Sequence, residues 1–301
     1  MDSLDRLRKA CGAVAERAQH IRLERSAIPA YAASLPAETE LHEPDPHLAA
    51  STREEGAAFW LTLDAINFGS GWFPTLRKRA GRSGYFTVAA GVRDHGPWQA
   101  SELETLTAAD VATVLGQDPA HELMALFADS LNDLGRHVTG EFDGRFAAVV
   151  DAAAGSAASL IQMLSGWACF ADVSTYDELE LPFLKRAQIA AADLHRAGLL
   201  SAPDLGRLTM FADNLVPHVL RLDGVLRFAP ELVRRIDREE LIEHGSREEV
   251  EIRACAVHAV ELVAAERPEN RASEIDQLLW NRGQGEAYKA RPRHRTRCTA
   301  Y

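Results

Sequence analysis

"AFWLTLDAINFGSGWFP" fills residues 58–74 and holds five of the 21 aromatic residues of the chain, Phe59, Trp60, Phe68, Trp72 and Phe73. A packed core accounts for some of these rings, Phe59 and Trp60 first. It does not account for an ending built of Asn67, two glycines and Ser70. Just upstream, Ser51 and Glu54 match the S-x-x-E pattern in which a hydroxyl and a carboxylate satisfy the orphan N–H groups of a helix start. The stretch therefore predicts a helix over residues 53–67. Gly69 closes it, because glycine tolerates the backbone conformations that end helices. "GSGWFP" then reads as a tight loop at a helix C-terminus.

Outward from this helix, the same period recurs. Leu4, Leu7, Cys11, Val14, Ala18 and Ile21 are spaced by threes and fours, an amphipathic stripe. Helical spacing returns in "ETLTAADVATVL", "PAHELMALFADSLNDLGRHV", "AASLIQMLSGW" and "SREEVEIRACAVHAVELVAAE", the last with Ile252, Ala256, Ala259, Val260 and Val263 on one face. "LPFLKRAQIAAADLHRAGLL" places Pro182 near a helix start, where its missing N–H is tolerated. "GYFTVAAGV" fits a strand or a buried helix. Residues 35–52 are Pro- and Glu-rich and read as a surface connection. Alternating β-branched residues are scarce, and no repeat or domain seam is visible. The expectation is a mainly α chain forming a single globular domain over residues 1–301, with few short strands.

Composition narrows function. The formal net charge is -11. Duplex binding draws its affinity from Lys and Arg clusters, so a nucleic-acid polymer is not the expected partner. A small anion needs only a few local cations. Cys11, Cys169, Cys255 and Cys298 lie far apart and form no CxxC pair, which points to neither a disulfide framework nor a zinc knuckle. Charges occupy the place of a signal-peptide core, and no apolar run reaches the ~18 residues of a membrane span. A cytoplasmic protein with no membrane partner is expected.

Four local constellations remain. Glu251, Cys255 and His258 share a helix face and could hold a metal, although such a pair is more often packing plus a surface imidazole. Asp213 and Asn214 interrupt the apolar "LTMFADNLVPHVL". The pattern favours a helix cap over a carboxylate held in a dry pocket, which would need a partner. Lys185, Arg186 and Gln188 follow "LPFL", either as a water-facing basic turn or as cations delivered to a ligand. The tail "KARPRHRTRCTAY" is a basic block on an acidic chain. It reads as a solvated arm or as a docked tail presenting arginines to a phosphate.

These segments together resemble the queuosine salvage protein family, the queuosine 5'-phosphate N-glycosylases/hydrolases. The resemblance rests on "LDAINFGSGWFP" with "SGYFT", "FADVSTYDELELPFLKRAQI", "LTMFADNLVPHVL", "EVEIRACAVHAVELV" and "PRHRTRCTAY", spread over residues 51–301. The first fifty residues contribute little. It implies a helical fold similar to helix-hairpin-helix DNA glycosylases. It also implies hydrolysis of queuosine 5'-monophosphate to queuine and ribose 5-phosphate, with no metal or organic cofactor. The family's lysine in "KRAQ" falls on Lys185 and its aspartate in "FAD" on Asp213, as catalytic residues. "DQLLWNRGQGEAYK" departs from the family pattern, which leaves Asp276 and Trp280 without a role.

The remaining site expectations combine that chemistry with the residues. Phe68 and Trp72, set free of helix packing by the glycine loop, would sandwich the flat 7-deazaguanine base at about 1–3 kcal/mol per face. Asp64 and Asn67 would read its amino-pyrimidone edge, with Arg186 as a further ligand contact. His294, Arg295 and Arg297 would hold the 5'-phosphate. A 7-deazapurine has carbon where purine glycosylases protonate N7. The base must therefore leave by other donors while a carboxylate, Asp213, stabilises the ribosyl cation, by analogy with two-carboxylate sugar hydrolysis. Lys185 would favour the charged form of Asp213. The rival readings are a nucleoside hydrolase without a 5'-phosphate requirement and a queuine- or queuosine-binding carrier without turnover.

Overall fold

The computed structural model describes residues 2–37 and 50–301, so most of the expected surface connection lies outside the described residues. The described residues are mainly helical, with two antiparallel two-stranded ribbons. Contacts divide the chain into two compact units interleaved in sequence. The first takes residues 1–44, 173–185 and 206–298; the second takes residues 45–172, 186–205 and 299–301.

The first unit is organised around the 20-residue helix Arg247–Glu266, started by the Ser246 hydroxyl, which accepts from the Glu249 amide. Its apolar residues were expected on one face. Instead every position from Glu249 to Val257 is buried, because the helices Ser3–Arg17, Ile28–Ser34, Leu215–Leu222 and Ala272–Arg282 and the strands Ile21–Leu23, Val173–Tyr176 and Leu226–Phe228 pack on it. Charges on this helix are therefore buried with partners, as desolvation demands. Glu251 accepts from the amides of Gln19, His20 and Ile21 and from the Tyr176 hydroxyl. That engages the carboxylate considered above for a metal, and Cys255 beside it is a buried thiol whose pKa burial raises. The N-terminal stripe ends earlier than its spacing suggested: Ile21 begins a strand that pairs Ile21–Leu23 with Leu226–Phe228. The second ribbon pairs Val173–Tyr176 with Leu179–Pro182. Pro182 thus ends a strand, and the helix begins three residues later, at Lys185.

The second unit centres on the helix Arg53–Ala65, whose residues from Gly56 to Ala65 are all buried. It packs on the helices Gly84–His95, Glu122–Phe142 and Phe146–Ala152, and "GYFTVAAGV" is helical. The capping box exists, but one residue later than its sequence match. The Thr52 hydroxyl accepts from the Glu55 amide, and the Glu55 carboxylate accepts from the Thr52 amide. Glu54 is diverted to the amides of Phe146 and Ala147, which start the next helix. Gly69 has φ +102°, a conformation closed to most side chains, and its carbonyl accepts from Trp72 and Phe73. The tail is docked: Ala300 and Tyr301 are buried, and the Tyr301 carbonyl accepts from the Gly69 amide at 3.1 Å.

Candidate functional site

In the first unit, three segments bring acidic and basic groups together. Residues 211–213, outside any helix or strand, precede the helix Leu215–Leu222; its N-cap residue is Asn214, and Asp213 stands just before it. Its Oδ1 accepts from the amides of Leu215 and Val216 at 2.8 and 3.1 Å, so the cap expected from the sequence is present. Asp213 is only partly buried. A cap engages one face of a carboxylate and does not exclude a second role for the other.

The same segment is clamped from both sides. Asp276, 4% exposed, accepts the Phe211 amide on Oδ1 at 3.0 Å. Arg253, fully buried, donates through Nε to the Ala212 carbonyl at 3.0 Å and lies 3.9 Å over the Phe183 ring. Its Nη1 is 3.6 Å from Glu249. Arg253 thereby ties the chain before Asp213 to the chain before Lys185. Between Phe183 and Lys185, Leu184 has φ +49°. A non-glycine residue there costs of order 1–3 kcal/mol and persists only where the surroundings impose it. Leu184 is itself buried, and the turn it makes places Lys185, 6% exposed, at the helix start.

Asp276 carries the most informative titration. Burial raises its carboxyl well above the usual range, and the neighbouring Asp213 raises it further. The Phe211 amide and then Lys185 oppose this. The neutral form of Asp276 is therefore favoured beyond that of an ordinary carboxyl, with Asp213 and Lys185 close enough to act on it. Its Oδ1 accepts the Phe211 amide, which leaves Oδ2 as the oxygen where a proton would sit. Two carboxyl groups and an ammonium lie in one place, with burial pushing one carboxyl toward its neutral form, and such an arrangement can pair a proton donor with a charge stabiliser.

The tail contributes differently from expectation. His294 is buried, and burial takes its pKa down to about 3, so it is neutral. Asn214 donates to its carbonyl at 3.1 Å. Arg295 donates to the Glu239 carbonyl at 2.7 Å, while the Arg295 carbonyl accepts from the Ile242 amide at 2.8 Å. Arg297 is exposed. Arg295 is thus engaged in holding the tail to residues 239–242.

In the second unit the aromatic stretch is packed. The Phe68 ring is 2% exposed and meets Phe127 edge-on at 5.0 Å, with the Arg186 guanidinium 5.0 Å from its centroid. Trp72 is buried and donates Nε1–H to Glu122 at 2.7 Å. Arg186 donates to the carbonyls of Ala65 and Cys169. The expectation of rings freed from packing is corrected on this point: the glycine loop turns them inward, against the helix Glu122–Phe142. Asp64 is fully buried, and Asn67 is the one partly exposed member of this group.

Sequence reasoning left out Asp276, although a signal was there. Ala272, Ile275, Asp276 and Leu279 share one helical stripe, and a carboxyl on an apolar stripe is buried with a reason or not at all. Arg253, equally, stands among apolar residues on a helix.

Comparison with known proteins gives a consistent result. The family model described as "Queuosine salvage protein" matches residues 47–301. A queuosine 5'-phosphate N-glycosylase/hydrolase of Sphaerobacter thermophilus is 36% identical over 313 residues, covering 96% of this chain and 95% of that protein. The protein of the same name from Mus musculus is 31% identical over 294 residues, covering 87% and 86%. One from Dictyostelium discoideum is 35% identical over 176 residues, covering 55% and 54%.

Proposed function

The chain belongs to the queuosine salvage protein family, and from that premise we propose that it hydrolyses the N-glycosidic bond of queuosine 5'-monophosphate. The products are queuine and ribose 5-phosphate. The observation that carries the chemistry is the buried Asp276, whose carboxyl is pushed toward its neutral form by burial and by the neighbouring Asp213. In the reaction the C1'–N9 bond breaks and its electron pair leaves with the base. The Asp213 carboxylate stabilises the positive charge developing on the ribose, or bonds to C1' until water replaces it. Asp276 delivers the proton that the departing base needs, in place of the N7 route that a 7-deazapurine lacks. Water supplies hydroxide to C1', and its remaining proton restores Asp276. Lys185 opposes the rise of the Asp276 carboxyl and takes no part in bond making.

In the second unit, the packed Asp64, Phe68, Trp72 and Arg186 support the segment that carries the partly exposed Asn67. In the tail, His294 and Arg295 position the chain, and Arg297 is the exposed cation that a ligand can reach. Residues 1–301 act as one functional domain, in the cytoplasm. Among the described residues no single helix is long and apolar enough to cross a membrane.

The test is incubation with queuosine 5'-monophosphate and, separately, queuosine, with free base followed by chromatography. Nucleotide that stays intact while bound would make the chain a carrier. Equal rates on both substrates would make it a nucleoside hydrolase.

A further inference from the structure

Arg293 stands in the tail between two tethered carbonyls. Arg221 donates Nη2–H to the Pro292 carbonyl at 2.8 Å, and Asn214 donates to the His294 carbonyl at 3.1 Å. Both donors belong to the segment that Asp213 heads. Arg221 is itself oriented: His218 Nε2 lies 3.0 Å from the Tyr288 carbonyl, so that nitrogen carries the hydrogen and Nδ1 is left to accept from Arg221 at 3.3 Å. The backbone on either side of Arg293 is therefore fixed to the helix whose start Asp213 caps.

The Arg293 side chain has no comparable engagement. Among the described residues it makes no hydrogen bond, ion pair or ring contact. Burial pulls its pKa down, and the one charge that acts in the opposite direction is that of Asp213. It remains a cation. The plain reading is an ion pair with Asp213, but the two are not within ion-pair distance, and Asp213 Oδ1 is occupied by backbone amides. The plain reading of the tail as a solvated arm also fails here, because the guanidinium is partly dry. Five N–H donors in such a place, near the reacting carboxylate, fit a dianion that accepts two of them at once.

We propose that Arg293 binds the 5'-phosphate of the nucleotide substrate, an assignment that rests on the hydrolase reading above and makes Arg293, not Arg295, the tail's phosphate anchor.

The experiment measures kcat/KM for nucleotide and nucleoside in the wild type, Arg293→Gln and Arg293→Lys, with melts alongside. Ribose 5-phosphate and ribose binding are measured by calorimetry on the same proteins. Arg293→Gln is expected to lower the nucleotide-to-nucleoside ratio by about 10–100-fold, the range of charge-assisted hydrogen bonds. It should weaken ribose 5-phosphate binding by a similar factor. Arg293→Lys should recover part of both, and it decides the matter if Arg293→Gln does not fold. An unchanged ratio and unchanged ribose 5-phosphate affinity in a folded variant overturn the assignment. A wild type that hydrolyses neither substrate overturns the hydrolase reading instead, and the binding arm still judges Arg293.

Discussion

Replacing Asp276 by Asn separates what its proton does for folding from what it does for catalysis. Asparagine keeps the volume, keeps an Oδ1 that can accept the Phe211 amide at the present 3.0 Å, and cannot release a proton. In the folded protein the Asp276 carboxyl is raised well above its ordinary value, by burial first and Asp213 second; in the unfolded chain it titrates near 4. Between those two values the folded state holds a proton that the unfolded state has lost. Stability therefore falls as pH rises, by about 1.4 kcal/mol per pH unit across that window. An amide in place of the acid removes this slope. Asp276→Asn should gain on the wild type as pH rises above 4, with a melting difference on the order of 3 °C per pH unit. Its turnover should fall by about 10²–10⁴-fold, the contribution of a positioned proton donor. The assay is a set of thermal melts from pH 4 to pH 8 beside single-turnover hydrolysis. A melting difference that does not change with pH would refute the buried neutral acid. Near-normal turnover would refute its role as donor.

Other expectations follow from the same geometry. Lys185→Met removes the cation that opposes the rise of Asp276, so the alkaline limb of the pH–rate profile should move up while kcat falls less than in Asp213→Asn; an unmoved limb would detach Lys185 from Asp276. Phe68→Ala should destabilise by about 3–5 kcal/mol, since it empties a ring site packed by Phe127; a folded variant with normal melting and weakened ligand binding would restore the stacking role. His218 is held down to about 4, by burial first and by Arg221, Arg293 and Arg291 against the Tyr288 carbonyl. The unfolded chain takes up a proton that the folded chain refuses, so stability is lost as pH falls from about 6.5 to 4; denaturant titrations of His218→Gln should show a flatter acid limb.

Much of the helical framework was legible because periodicity and caps are local. The helices Arg53–Ala65 and Arg247–Glu266 follow from spacing and from Thr52 and Ser246 at their starts. The one-residue error in the capping box has a tertiary cause, since Glu54 is claimed by Phe146 and Ala147. The helix start at Asp213 was legible because a carboxylate interrupts an apolar run before Leu215, and its Oδ1 accepts the first amides of that helix. Phe68 and Trp72 were misjudged because a glycine loop signals a turn without saying which way the rings face, and Glu122 and Phe127 lie 50 and more residues downstream. Asp276 and Arg293 were missed because their meaning comes from desolvation and from neighbours remote in sequence, Lys185 and Asp213.

The central claim is that Asp213 carries the cleavage of the glycosidic bond, and Asp213→Asn tests it most directly. Asparagine can still accept the Leu215 and Val216 amides, so the helix cap survives while the charge is deleted. Single-turnover hydrolysis of queuosine 5'-monophosphate should slow by on the order of 10³-fold or more, about 4 kcal/mol of transition-state stabilisation, with binding and the thermal melt close to the wild type. Release of free base at a near-normal rate by the folded variant would contradict the account.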